Sequence, residues 1–101
     1  MIIVAGWIEV DPKDRDLALA SRREAILAAK SEQGCLDYIF SADPIEPGRI
    51  RLFERWESLA DHHEHERISR LGQSTSSRMP PVHVEVHTYT VSDSTPWARA
   101  G

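Results

Sequence analysis

The sequence predicts an α+β domain in which four strands form one antiparallel sheet and two helices lie on one of its faces. Two observations point there. Four short stretches carry the strand period of two, or run apolar between turn signals. The first longer stretch between them is rich in Ala, Leu, Glu, Lys and Arg, the good helix formers, and the second lies between a capping Ser58 and Gly72, so the order reads βαββαβ.

Residues 2–10 are the first strand. Ile2, Val4, Ile8 and Val10 alternate with Ile3, Ala5 and Trp7, so both sides are largely apolar. A strand wet on one side shows polar residues there, and both faces of the sheet are therefore expected to be covered. Asp11 and Pro12 read as a helix N-cap followed by proline at the first helical position, where its missing N–H is not needed. Residues 13–32 predict one helix with Leu19, Ile26 and Leu27 on one broad side. Gly34 is its stop, because glycine takes the left-handed conformation cheaply.

Residues 35–42 are the second strand, and Asp43, Pro44, Pro47 and Gly48 supply the chain breakers of a turn. In residues 49–56, Ile50, Leu52, Glu54 and Trp56 alternate with Arg51, Phe53 and Arg55, giving a third strand that pairs with the second through a hairpin. Ser58 is placed to cap a second helix over 59–71, with Gly72 just beyond it. Residues 72–81 read as loop. Residues 82–91 are the fourth strand, with Val82, Val84 and Val86 on one side and His83, Glu85, His87 and Tyr89 on the other. One domain is expected over residues 1–92 and a flexible tail, carrying Trp97, over 93–101.

Right-handed crossovers turn this order into the ferredoxin-like arrangement. Its two helices shield one sheet face only. A second copy packing sheet to sheet is the expected cover for the other, which makes the protein a homodimer.

Composition narrows the partners. The 101 residues suffice for one core. The net charge is −4 and no basic stripe runs along the chain, so nucleic acid is not an expected partner. Cys35 stands alone, which suits a reducing compartment. The first ten residues are too short to span a bilayer and lack the features of a signal peptide. Cytoplasm is the expected location, with no membrane partner. No G-x-G-x-x-G or P-loop occurs, so neither nucleotide nor flavin is expected.

The middle of the chain carries a sequence of motifs. Gly34-Cys35-Leu36-x-Tyr38 is followed by Phe53-Glu54-x-Trp56, then Ser58, then His65 nine residues after Trp56. On these residues the chain resembles the antibiotic biosynthesis monooxygenase (ABM) family of the dimeric α+β barrel superfamily, over about residues 2–91. The resemblance implies a ferredoxin-like protomer in a dimeric α/β barrel. For some members it implies cofactor-independent oxygenation of quinols or phenolic polyketides, so a monooxygenase with no cofactor. Haem-degrading members carry an Asn on the first strand, and residues 1–10 contain none.

Trp56, His65 and Tyr38 are the catalytic candidates. Cofactor-free oxygenation needs an electron-rich substrate, usually as its anion. A phenol titrates near ~10 and histidine near ~6.5, so a histidine base needs a pocket that favours the anion by ~4–5 kcal/mol. Donors and low dielectric supply such a bias. His65 would take the proton, Trp56 would form an aromatic wall and Tyr38 would orient an oxygen. The same residues equally read as core, with Trp56 as filler and His65 as a hydrogen-bonded prop. The alternative function is then a non-catalytic small-molecule-binding or dimerisation module of the same fold. A cavity walled by His65 and Trp56 favours the enzyme, and a packed interior the module.

Other clusters are read as structural. His62, His63, His65 and Glu66 share helical spacing but contain no H-E-x-x-H, so a solvated helix face without metal is expected. His83 and His87 stand ~13 Å apart along a strand, too far for one ion without other ligands. Cys35 is expected as a small buried hydrophobe. Glu54 is expected to pair with an arginine. Arg51 and Arg55 read either as ion-pair partners at a dimer seam or as solvated.

Overall fold

The alternation in the sequence appears as four strands in the computed structural model, which describes residues 1–72 and 81–98. β1 (Ile2–Glu9), β2 (Cys35–Ala42), β3 (Arg49–Trp56) and β4 (His83–Thr90) form one sheet in the order β2-β3-β1-β4. Every neighbouring pair is antiparallel. The fold is α+β and ferredoxin-like. The expected loop lies mostly at residues 73–80 and the tail ends at 99–101, outside the described residues.

Register decides which residues meet. Ile2 lies opposite Trp56, Val4 opposite Glu54, Gly6 opposite Leu52 and Ile8 opposite Ile50, so these share one face. Ile3, Ala5 and Trp7 lie opposite Arg55, Phe53 and Arg51 on the other. A bulge between Cys35 and Asp37 turns Cys35 onto the first face, against Trp56. The core sits on that face, in two clusters centred on Trp56 and on Ile50.

Asp11 caps the first helical segment, its Oδ1 accepting from the Lys13 N–H at 3.1 Å, and Pro12 opens a 3-10 turn, Pro12–Asp14. The single helix expected over 13–32 is instead divided into α1 (Arg15–Ser21) and α2 (Arg23–Lys30). The Ser21 hydroxyl donates to the Ala18 carbonyl at 2.7 Å, and the Arg22 N–H turns to the Leu19 carbonyl at 3.1 Å. A serine hydroxyl that bonds back along the helix, with a tightened three-residue turn beside it, interrupts the α ladder. Leu27 faces solvent rather than the core, while Ala18, Ile26 and Ala29 make the inner stripe.

α3 (Leu59–Gly72) begins at a reciprocal cap. The Asp61 N–H donates to Ser58 Oγ at 3.1 Å, and that hydroxyl donates to the Asp61 carboxylate at 2.9 Å. Gly72 is the last residue of α3 rather than the one beyond it. Gly34 has φ +78°, and a Cβ there would overlap the Asp61 carboxylate. The turn after α2 and the first turn of α3 thus meet at a position where only glycine fits.

The second sheet face is not the uniformly apolar surface the first strand implies. Ile3, Ala5, Trp7, Ile39, Phe53 and Tyr89 are interspersed with Arg51, Arg55, Glu85 and His87. Ile39 and Tyr89 remain about half exposed, at 49% and 51%. The Arg49 guanidinium lies 3.7 Å from the centre of the Trp7 ring. Arg51 is held within its own chain, 2.8 Å from Asp43. Asp43 also accepts the Ile45 and Glu46 N–H groups, and these bonds hold its carboxyl down at about 2.

Candidate active site

β3 places Glu54 and Trp56 on the covered face, and β2 places Tyr38 beside them. α3 brings His62, His65 and Ser69 above them at i, i+3 and i+7, the spacing of one helix face. Apolar residues are missing from that inner stripe, which is why hydrophobic periodicity alone did not mark it.

The three candidates converge in one aromatic cluster. The His65 ring is 4.8 Å from Trp56, tilted by 32°, and 5.2 Å from Tyr38, edge-on. Tyr38 meets Trp56 edge-on at 6.4 Å. Trp56 is 0% exposed and His65 8%.

Both ring nitrogens of His65 are engaged. Nδ1 lies 2.9 Å from Glu32 Oε1, and Nε2 lies 3.3 Å from Ser69 Oγ. A carboxylate only accepts, so the network assigns the proton to Nδ1 and leaves Nε2 to accept from the serine hydroxyl. Sequence reasoning missed both partners. Ser69 was within reach of it, since i,i+4 residues are helix neighbours. Glu32 was not, because only the meeting of Gly34 with Asp61 carries it to a residue 33 positions away.

Glu54 is corrected. Its expected arginine partner is replaced by the indole of Trp56, whose N–H donates to Glu54 Oε1 at 3.0 Å. The reason is strand alternation: Arg51 and Arg55 point to the opposite face. Burial pushes the Glu54 carboxyl above its ordinary range, and the indole hydrogen bond only partly offsets that. Burial also holds the Tyr38 hydroxyl well above the phenol range, helped by the nearby Glu54 charge. Tyr38 therefore stays protonated and is a donor rather than a base.

His62 is corrected as well. It is buried rather than solvated, and burial lowers its pKa. Its Nδ1 sits 3.6 Å from Glu66 and makes no hydrogen bond among the described residues. Cys35 is half-buried, and burial with the neighbouring Glu32 raises its thiol pKa, so it remains a thiol. On the other face, Glu85 lies between His83 at 3.5 Å and His87 at 2.9 Å. Among the described residues no three His, Cys, Asp or Glu side chains are grouped to hold a metal ion, and no helix is long and apolar enough to cross a membrane.

A cavity of about 330 Å³ opens where the turn after α2 meets α3, lined by Glu32, Gln33, Asp61, Glu64 and Ile68. It reaches the partner of His65, not His65 or Trp56 themselves. The interior around those two rings is packed.

Fold and cluster together define a small ferredoxin-like α+β domain with an aromatic and histidine core on its covered face. Residues 1–69, from β1 through most of α3, match the model of the family described as antibiotic biosynthesis monooxygenase, and the chain belongs to that family. An uncharacterized protein of Synechocystis sp. is 36% identical over 64 residues, which span 61% of this chain and 44% of that relative's length. Two solved structures share the fold, each named as a candidate antibiotic biosynthesis monooxygenase. The protein from Deinococcus radiodurans superposes with a TM-score of 0.72 at 20% identity, over 94% of this chain and 96% of its own. That from Nitrosomonas europaea gives 0.77 at 14% identity, over 92% and 100%.

Proposed function

We propose that this chain is a cofactor-independent monooxygenase acting on a quinol-like or polyphenolic small molecule, as a cytoplasmic homodimer. Membership of the ABM family supports monooxygenase chemistry. The observation that carries the reading further is the Glu32–His65 pair, 2.9 Å apart and seated against Trp56. In this scheme Nε2 of His65 receives the proton of a phenolic hydroxyl. The Glu32 carboxylate on Nδ1 then balances the imidazolium charge. Tyr38, held protonated, donates to a substrate oxygen. The substrate anion supplies the electrons to dioxygen; one oxygen atom enters the product and the other leaves as water.

Purified protein is expected to consume oxygen with dihydroxy-aromatic compounds, and His65→Ala to lose ~10²–10⁴-fold of that rate, the usual contribution of a positioned base. An unchanged rate in the variant removes His65 from the chemistry.

A second reading has its own support. The packed rings, and a cavity that stops at Glu32, favour a non-catalytic small-molecule-binding or dimerisation module. Tight binding of such compounds without oxygen uptake would select it. The homodimer is supported by Ile3, Trp7, Ile39, Phe53 and Tyr89 on the open sheet face. Sedimentation at micromolar concentration is expected to give twice the chain mass, and a monomer there would exclude it.

A further inference from the structure

We propose that Ser69 is the proton relay of this site: a substrate hydroxyl reaches His65 through the Ser69 hydroxyl rather than by touching the ring. The inference rests on the reading of His65 as the base. It starts from the fact that both ring nitrogens already have a partner. Nδ1 is taken by Glu32 at 2.9 Å and Nε2 by Ser69 at 3.3 Å, while Trp56 and Tyr38 pack beside the ring, the latter edge-on. A molecule approaching from outside meets one of the two partners first.

The two partners differ in what they can pass on. The Glu32 contact is the shorter, and it joins a carboxylate to an N–H. A proton arriving there would meet a nitrogen that already carries one. The Ser69 contact is longer and joins a hydroxyl to the nitrogen that the Glu32 bond leaves free to accept. Ser69 is half-buried where His65 is buried, so it is the more exposed residue of the pair. A serine hydroxyl both accepts and donates. The balance is simple. The substrate O–H gives its proton to Ser69 Oγ, the serine's own proton passes to Nε2, and the doubly protonated ring is left beside the Glu32 carboxylate. The serine gives up one proton and gains another, so overall only the substrate loses a proton and only the imidazole gains one, and nothing is oxidised in this step.

The arrangement also gives the i,i+4 spacing of His65 and Ser69 a purpose beyond packing. One helix turn sets the hydroxyl and the ring at fixed separation, independent of how the substrate moves.

The test compares Ser69→Ala, Ser69→Thr and His65→Ala in the full chain. Alanine is a better helix former than serine, so the fold is expected to survive. With a hydroquinone and dioxygen, Ser69→Ala is expected to lower kcat about a hundredfold, the low end for a proton-transfer group, with KM little changed. Ser69→Thr keeps the hydroxyl and is expected to restore most of the rate. Nitrogen-15 NMR of the histidine rings supplies a readout free of turnover. The Nε2 resonance of His65 is expected to shift in Ser69→Ala towards that of a nitrogen without a hydrogen bond, and to stay near its original position in Ser69→Thr. Full activity in Ser69→Ala, with none in His65→Ala, overturns the relay and leaves the base in place. Full activity in His65→Ala overturns the base and the relay with it. An unmoved Nε2 resonance in Ser69→Ala overturns the relay whatever the activity.

Discussion

The two sides of this sheet set the same residue types together and behave in opposite ways. Each side has a tryptophan and a glutamate beside histidines, which α3 supplies on the covered side and β4 on the open one. On the covered face Trp56 is fully buried and donates to Glu54, and burial drives the Glu54 carboxyl up and His62 down. On the open face Trp7 lies under the Arg49 guanidinium, and hydrogen bonds from His87 and His83 pull Glu85 below its ordinary range. The residue alphabet is shared, and desolvation separates the outcomes. A carboxylate beside an indole inside the helices is reluctant to ionise. One between two imidazoles in water ionises readily.

The contrast can be broken first at the tryptophans. An indole buries ~200 Å², worth about 5 kcal/mol at ~25 cal/mol per Å². Trp56→Ala is expected to cost about 3–5 kcal/mol in urea unfolding. In the isolated chain Trp7→Ala is expected to cost about 1 kcal/mol, through its partial burial and its stacked arginine. Equal losses would mean that the open face is as well packed as the covered one.

The two carboxylates, Glu54 and Glu85, carry a smaller effect. The raised Glu54 group contributes stability that is complete below the ordinary carboxylate pKa and is lost as pH rises through its raised value. Glu54→Gln keeps an acceptor for the indole N–H and removes that loss. The variant is expected to gain on the wild type as pH rises above the ordinary carboxylate range in unfolding titrations. The lowered Glu85 group contributes stability present above its ordinary pKa and lost as pH falls through its lowered value. Glu85→Gln, at an exposed position, is expected to show the smallest change, a slightly flatter acid limb below about pH 4. Parallel pH responses in the two variants would contradict the assignment of opposite shifts.

These faces also show where the sequence was readable. The strands lie within a residue or two of their expected bounds because period-two alternation is local, and RIRLFERW shows it without ambiguity. The same alternation already fixed that Arg51 and Arg55 cannot reach Glu54. The break at Arg22 was hidden because Ser21 and Arg22 are both acceptable helix residues. What interrupts the ladder is a hydroxyl bonding back to Ala18. The burial of His62 was hidden for a related reason: the inner stripe of α3 is His62, His65 and Ser69, which any hydropathy pattern reads as surface. Trp56, His65 and Tyr38 were found together through their motif spacing, whereas Glu32 required tertiary structure.

Gly34 sets a distance without touching the groups it separates. The carboxylate of Asp61 occupies the volume in which any other residue at 34 would place its first side-chain carbon. That carboxylate is tied to Ser58 at the head of α3, while Glu32 sits two residues before the glycine. A single methyl group at this point would therefore push the turn after α2 away from the head of α3, at the level of the imidazole and its carboxylate. The gap between an acid and a base is gauged, in this chain, by a hydrogen atom.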